Sequence, residues 1–573
     1  MPVLLALLLT LLCATARSSP LRFFIDASAF AEGETDLLLE AIAASNGTAS
    51  VVGVSRGGFL AHKGWHNTSM WDMYWTGREA CYRAFLSHLA PGQLVSCTPG
   101  SQAITGKASL VATMKRAYGT AASLFVPESF VLPGDYLAFA RAVVAAGPAT
   151  PWVLKEDSHR GRGIAVLPPA AALAAARQRR LGGGAQRYVV AQRFVPGQLL
   201  VRRRPLYVRL WVLSLGTHPL RPYLFDGGVA VFGSRQGADD GSDGDDGDGV
   251  ADGGLTGISA QGADASGHQA MVVNLWQQDR AAARPWSLRQ LWDHLDSRFG
   301  AGAATGAWAR MCLGVAAALA AGLPAQREAG AALPGYQGGN AEVLGVDFLL
   351  DGALGAHLVE VNWLPSLARK VVACAAGEAC RAGTREPFDA QKEAFLAAAL
   401  RLLRASSDAA TGTGPGRPPG PRAEQWRALC ALRAEARAAE GAFVDLTRAA
   451  LEALACVGRG GACAWVGGAA EGAAGTGVST DPAAAAGRGA RSRWAALRRL
   501  ADALPPLRWG AAAAAAGDRA GDRIVGYRLT LLDRVTLDLA RAGELTAGAD
   551  AEFTQRVAAT WARLAPGHVR PEL

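Results

Sequence analysis

Gly345-Val-Asp347-Phe-Leu-Leu-Asp351-Gly-Ala-Leu-Gly355-Ala-His-Leu-Val-Glu360-Val-Asn362-Trp-Leu-Pro-Ser366 decides how the rest of the chain is read. Two apolar runs flank Asp351 to Ala356, whose Gly352 and Gly355 suit a turn, so the spacing predicts a β-hairpin centred between Ala353 and Leu354. That symmetry pairs Asp347 with Glu360. Directly opposed residues of an antiparallel pair lie about 4.5 to 5.5 Å apart, and two carboxylates there repel each other unless a cation or a proton intervenes. Asn362, two residues beyond Glu360, shares its face. Three hard-oxygen side chains on an otherwise apolar ribbon are what a Mg²⁺ bridging to phosphates requires, with a solvent-exposed polar face as the alternative.

Upstream lies a second constellation, Trp152-Val-Leu-Lys155-Glu-Asp-Ser-His159-Arg160-Gly161-Arg162-Gly163-Ile164. A strand ends on a lysine, a polar glycine-containing loop follows, and a second strand starts at Ile164. Backbone N–H groups of such a loop can cradle phosphate while the lysine supplies a point charge. An ordinary hairpin reads equally well from these residues alone. The segment is neither a Walker A loop nor a dinucleotide fingerprint, because G-x-x-x-x-G-K-[ST] is absent and no helix follows.

The chain has 573 residues, 50% apolar and 19% charged, which excludes a collagen-like or wholly disordered protein and allows three or four domains. The net charge of +9 permits acidic partners without demanding nucleic acid. Only six of the 58 basic residues are Lys, and only five residues are Asn. Any Lys or Asn kept against that bias merits attention.

Val3 to Leu12, followed by Ala14-Thr15-Ala16, reads as a cleavable secretory signal over residues 1–16, with a buried strand or helix as the alternative. Asn46-Gly47-Thr48 and Asn67-Thr68-Ser69 are N-glycosylation acceptors, as in a glycoprotein. Both features point to the secretory pathway or the cell exterior. Cys374/Cys380 and Cys456/Cys463 are close pairs suited to disulfides or to buried thiols. No transmembrane segment is expected, the longest apolar run, Met311 to Leu323, reading as a core helix. Ala170 to Gly184 is an Ala/Gly-rich stretch of low complexity. The Asp/Gly tract 234–267 lacks an EF-hand register and reads as a disordered insertion; 405–422 reads as a linker and 423–573 as a helical region. Short β-rich runs and helical segments alternate before the linker, giving an N-terminal α/β part at 20–150 and a second domain at 151–404.

Taken in order, Trp75-Thr-Gly-Arg78, Pro91-Gly-Gln93, Phe130-Val-Leu-Pro-Gly-Asp-Tyr136, Lys155 to Ile164, Val190-Ala-Gln192-Arg-Phe-Val195, Val208-Arg209-Leu-Trp-Val-Leu213, Asn274 and Val346 to Leu367 resemble the tubulin tyrosine ligase-like family of the ATP-grasp superfamily. The similarity runs over roughly residues 65 to 370. It implies an α+β ATP-grasp fold with the nucleotide between two α+β subdomains. Lys155 would then contact the phosphates, Gly161, Arg162 and Gly163 would close over them, and Gln192, Arg193, Phe194 and Val195 would form the hinge against adenine. Asp347, Glu360 and Asn362 match the family's metal ligands, while Arg209 and Asn274 match positions facing phosphate or substrate.

Such enzymes activate a carboxylate as an acyl phosphate that an amine attacks, and Lys155, Arg209 and Glu360 are the candidate catalytic residues. The resemblance therefore implies an ATP- and Mg²⁺-dependent ligase adding free glutamate, glycine or tyrosine to a protein acceptor, tubulin by family. A tubulin acceptor would place the chain in the cytoplasm, at the microtubule cytoskeleton or in the cilium. Three alternatives stand beside it: an ATP-binding regulatory protein without catalysis, a ligase for another acceptor in the secretory pathway, and a small-molecule ligase. Departures fall in the substrate half. Pro205 and Tyr207 stand where the family has a basic and an acidic residue, Val231 stands for an Arg, and Val273 for a Thr.

Overall fold

The computed structural model describes residues 20–31, 33–52, 71–77, 81, 89–90, 92–157, 163–178, 187–202, 204–217, 220–233, 285–333, 339–369, 387–411 and 442–445. They form a mixed α/β architecture with three sheets. Arg22–Asp26 (β1), Thr48–Val52 (β2), Met73–Trp75 (β3) and Leu94–Val95 (β4) make a parallel sheet in the order β2-β1-β3-β4. Helix α1 (Asp36–Ala44) crosses between β1 and β2, the connection that parallel strands need.

Helices α2 (Gln102–Thr105) and α3 (Lys107–Tyr118) lead to the second sheet. Its strands are Ser129–Val131 (β5), Trp152–Lys155 (β6), Ile164–Leu167 (β7) and Val190–Arg193 (β8), antiparallel in the order β5-β8-β6-β7. Helices α4 (Tyr136–Ala146) and α5 (Pro169–Ala175) cover one face, where Phe130, Phe139, Trp152, Leu154 and Ala191 pack together. The start of the Ala/Gly stretch is thus helical, as the strong helix propensity of alanine favours. Because β5 and α4 belong to this layer, the seam expected at 150 falls inside a sheet. The layer begins before Ser129.

The third sheet comprises Leu200–Val201 (β9), Arg204–Leu215 (β10), Arg221–Phe232 (β11), Trp286–Ser287 (β12), Ala341–Leu350 (β13), Ala356–Trp363 (β14) and Phe443–Asp445 (β15). Its path is β12-β11-β10-β13-β14, with β9 paired to β10 and β15 to β11. Val208, Leu210 and Val212 face a core shared with α6 (Leu288–Phe299) and α7 (Ala303–Ala331), whereas Trp211, Leu213 and Leu215 face one shared with α8 (Pro387–Thr411) and the first sheet. Both faces are covered, which is why Val208 to Leu213 reads as almost continuous apolar sequence. Trp211 seats α8 through ring contacts with Phe388 at 5.8 Å and Phe395 at 6.1 Å, each worth about 0.5–1.5 kcal/mol beyond burial.

Helix α7 contains the Met311 to Leu323 run; it is long and apolar enough to cross a membrane, yet 89% of its most apolar window is buried within this fold. Phe443–Asp445 lies in the region read as helical but is a strand. Phe443 inserts against Tyr223, Phe225 and Phe395, and β11 supplies the backbone partners. The remaining tail, the 234–267 tract, the 1–16 segment and both expected cysteine pairs lie outside the described residues.

Candidate active site

One cross-strand rung builds the site. Arg209 of β10 stands opposite Asp347 of β13, which stands opposite Glu360 of β14. All three share the face whose other end is packed by α8. On the next rung Gly345 lies between Trp211 and Asn362. A Cβ at Gly345 would come 2.8 Å from Pro365 Cβ, so the glycine is what lets the segment after β14 pack back onto the sheet, with Arg209 Cδ 3.4 Å from the same point.

Arg209 forks onto Asp347, with Nη2 on Oδ2 at 2.7 Å and Nε on Oδ1. Only 17% of the arginine side chain and 8% of the aspartate side chain are exposed. Burial pushes the Asp347 carboxyl up, Arg209 pulls it down, and neighbouring Glu360 pushes it up again, leaving it above its ordinary value. For Arg209, burial disfavours the charge but the carboxylate prevails and the guanidinium stays protonated. Asn362 Nδ2 donates to Asp347 Oδ2 at 3.2 Å. Turning that amide presents its oxygen instead, and its orientation follows whatever charge lies between the two side chains.

This donor set fits a divalent cation. Asp347 and Glu360 are like charges on adjacent strands, and the Asp347 carboxyl is held above its normal value by burial and by Glu360. A hard cation would relieve both effects. Among the described residues no cluster of three His, Cys, Asp or Glu is present. The third ligand of this set would be an amide.

Lys155 ends β6 and reaches the rung from the second sheet, its Nζ donating to the Val359 carbonyl at 3.2 Å. The pairing passes from Asp347–Glu360 to Phe348–Leu358, so Val359 is an extra residue, a bulge that offers its carbonyl to the lysine. Burial lowers the Lys155 ammonium to about 8, opposed by Glu360 and assisted by Lys107. Lys107 also donates to the Glu156 carbonyl at 3.3 Å. Gly163 closes the β6–β7 hairpin with φ +70°, where a Cβ would sit 2.5 Å from that of Glu156. Gly161, Arg162 and Asn274 lie outside the described residues.

The expected hinge presents less side chain than its sequence suggests. Gln192 donates Nε2 to Ser129 Oγ at 2.8 Å, and the Arg193 and Phe194 amides donate to the Glu128 and Pro151 carbonyls. Phe194 and Val195 are buried, Phe194 with Val166 on the sheet face away from α4 and α5. Tyr207 precedes Arg209 on the same face, and burial holds its phenol neutral. It faces Val231 across β10 and β11.

Two further supports fix the chain beyond β14. Glu34 accepts from Ser366 Oγ at 2.8 Å and from the Leu367 and Ala368 amides at 2.9 and 3.2 Å, fixing the exit from β14. Buried Lys392 of α8 donates to the Ala368 carbonyl. Scarcity of lysine was the only hint for the second, and nothing local marked the first.

Lys155→Met is expected to weaken nucleotide binding by about 10- to 100-fold, the worth of a charge-assisted hydrogen bond to phosphate. Stability at pH 7 should stay within about 1 kcal/mol of wild type, since losing the Val359 contact is offset by removing a buried charge. Lys155 has a folded value below its unfolded one, so the unfolded chain binds more protons between the two. Wild type should therefore gain stability over the variant from pH about 8 to about 10.5. Thermal melts across that window and nucleotide titration at pH 7 check both halves.

A profile of the tubulin-tyrosine ligase family matches residues 86–373, just over half of the chain. Among curated proteins, "Probable tubulin polyglutamylase TTLL2" of Homo sapiens is 26% identical over 194 residues, covering 31% of this chain and 31% of the relative. "Tubulin polyglutamylase TTLL5" of Homo sapiens is 27% identical over 167 residues, 28% of this chain and 12% of the relative. "Probable alpha-tubulin polyglutamylase Ttll1" of Tetrahymena thermophila is 30% identical over 124 residues, 20% of this chain and 28% of the relative. The matches thus span about a third or less of these relatives.

Proposed function

The chain belongs to the tubulin-tyrosine ligase family, and on that premise we propose that it is an ATP- and Mg²⁺-dependent ligase joining an amino acid to a protein carboxylate. The observation that carries this reading is the rung Arg209–Asp347–Glu360 with Lys155 brought to its edge by the Val359 bulge. Cationic and anionic groups converge there from two sheets, as transfer of a phosphoryl group demands.

ATP is the phosphoryl donor, and Asp347, Glu360 and Asn362 would hold a cation, which would supply neutralising charge to its phosphates. Lys155 provides a positive charge that burial keeps dry, and Arg209, oriented by Asp347, points a second along the sheet. The γ-phosphoryl group passes to the acceptor carboxylate, giving an acyl phosphate and ADP. The amine then forms the C–N bond as phosphate leaves with the acyl C–O bond broken, and the amine loses a proton. Phe194 and Val166, which pack together, would give the nucleotide an apolar shelf.

A second reading, nucleotide binding without ligation, is favoured by Tyr207 and Val231. These two departures from the family pattern face each other beside Arg209, so a charged cross-strand pair is replaced by an uncharged one. Incubating the full chain with ATP, Mg²⁺, labelled glutamate, glycine or tyrosine, and tubulin or a lysate of secreted proteins separates the readings. ATP-dependent labelling of a protein is the expected result. Nucleotide binding with no ATP consumption and no labelling would establish the second reading.

A further inference from the structure

Two features stand outside the Arg209–Asp347–Glu360 rung. The first is a disulfide between Cys81 and Cys97, with Cα atoms 5.9 Å apart. Both residues are buried, at 0% and 4% exposure, in a small core with Phe24, Trp71, Tyr74 and Val95. The third described cysteine, Cys312, is buried in α7, so no described cysteine offers an exposed thiol. Disulfides form and persist in oxidising compartments.

The second feature is the end of α1. Gly47 N–H bonds the Ile42 carbonyl at 2.9 Å and Asn46 N–H bonds that of Ala43 at 3.1 Å, the paired contacts of a Schellman stop. Asn46 has φ +56°, a left-handed position that takes glycine or asparagine. The turn leaves the Asn46 side chain in solvent and delivers exposed Thr48 as the first residue of β2. An Asn-Gly-Thr acceptor therefore stands on an exposed turn, the setting that N-glycosylation requires. Strand β2 is the edge of its sheet, and its residues through Val51, itself 48% exposed, are open. A glycan rooted at its first turn would shield that edge from pairing with other chains.

We propose that Asn46 carries an N-linked glycan and that Cys81–Cys97 closes in an oxidising compartment, so the carboxylate modified in the cleft belongs to a protein of the secretory pathway, not to a cytosolic tubulin tail. The acceptor clause rests on the ligase reading; the two modifications do not. In the disulfide step the two thiols lose two protons and two electrons to a protein disulfide of the compartment, which becomes a dithiol. In the glycan step the Asn46 amide nitrogen bonds the anomeric carbon of a pyrophosphate-linked oligosaccharide donor, the carbon–oxygen bond to pyrophosphate breaks, and the amide gives up one proton. The bond also bears on the cleft, because Cys97 leads directly to Thr98 and Ser101. These two hold Asn340 and Glu342 at the start of β13 at 2.9 Å each.

The test expresses the full chain, with its own amino terminus, in a eukaryotic host and maps its peptides. Peptide-N-glycosidase, which hydrolyses the glycosylated side-chain amide, should convert Asn46 to Asp in the released peptide, and a non-reducing digest should contain the joined Cys81 and Cys97 peptides. Asn46→Gly, which the left-handed backbone accepts, and Thr48→Val, which suits a strand, should each remove one glycan without changing the melting curve. Cys81 and Cys97 alkylated without reductant, together with unmodified Asn46, would overturn the proposal. If such a chain still labelled tubulin, the ligase reading would survive alone. A glycosylated, disulfide-bonded chain that transfers nothing would instead leave the modifications standing and remove the ligase reading. A modified chain that labels luminal proteins in preference to tubulin completes the expected result.

Discussion

Arg209→Leu is expected to lower folding stability by about 3–5 kcal/mol, the cost of leaving one member of a buried ion pair without the other. Asp347 retains 8% side-chain exposure and receives both arms of the guanidinium. Without them its carboxylate must persist as a buried charge beside Glu360 or take up a proton. The second course is cheaper and fixes the pH dependence. The Asp347 carboxyl already lies above its ordinary value with Arg209 present, and it rises further once the cation is removed. A folded value above the unfolded one means that the folded variant binds more protons, so its stability falls as pH rises toward that folded value. The deficit should be smallest near pH 4 and grow toward neutrality. Arg209→Leu combined with Asp347→Leu should recover most of it, because two packed apolar side chains replace an unbalanced charge. Urea denaturation of the two variants at pH 5 and pH 7 is the measurement. A double variant no more stable than the single one would show that Asp347 is not the group left stranded.

The hairpin that bears this pair was legible because its information is local. Turn residues, a two-residue period and apolar flanks fix the register of Asp347 against Glu360, and that register holds on the open side of the hairpin. It fails toward the turn, where Val359 bulges, because Lys155, some 200 residues distant, takes the bulged carbonyl. No local pattern encodes such a partner. The side-chain partners of the expected hinge were hidden for a related reason. Val190 to Val195 shows where the strand runs, but Gln192 is claimed by Ser129 of a neighbouring strand. Cys81 and Cys97 escaped notice because they are 16 residues apart and meet only when the segment after β3 folds against the end of β4. Glu34 acts on backbone amides, which every residue possesses, so its role is invisible without the fold.

Glu360→Gln separates the cleft's charge from its shape. Glutamine keeps the size of the side chain and one oxygen for a ligand but removes the negative charge on β14. Two consequences follow, with opposite signs. The carboxyl of Asp347 loses the like charge that pushes it up, so the folded state should be as stable as wild type or slightly more so. The ammonium of Lys155 loses the anion that chiefly holds it up against burial, so its folded value should fall below about 8. At neutral pH the variant then has a weaker cation site and a lysine closer to deprotonation, two losses at the same phosphate. ATP-dependent amino-acid transfer should drop by at least about 10²- to 10³-fold, the range seen when one preorganised electrostatic partner is removed. The Mg²⁺ concentration for half-maximal rate should rise, and the pH above which activity falls should move lower. Initial rates over a matrix of Mg²⁺ and pH, with melting curves in parallel, measure both. A variant that keeps a tenth of the wild-type rate at an unchanged Mg²⁺ requirement would mean that Glu360 holds no cation, and that the carboxylate pairing of the hairpin serves the fold alone.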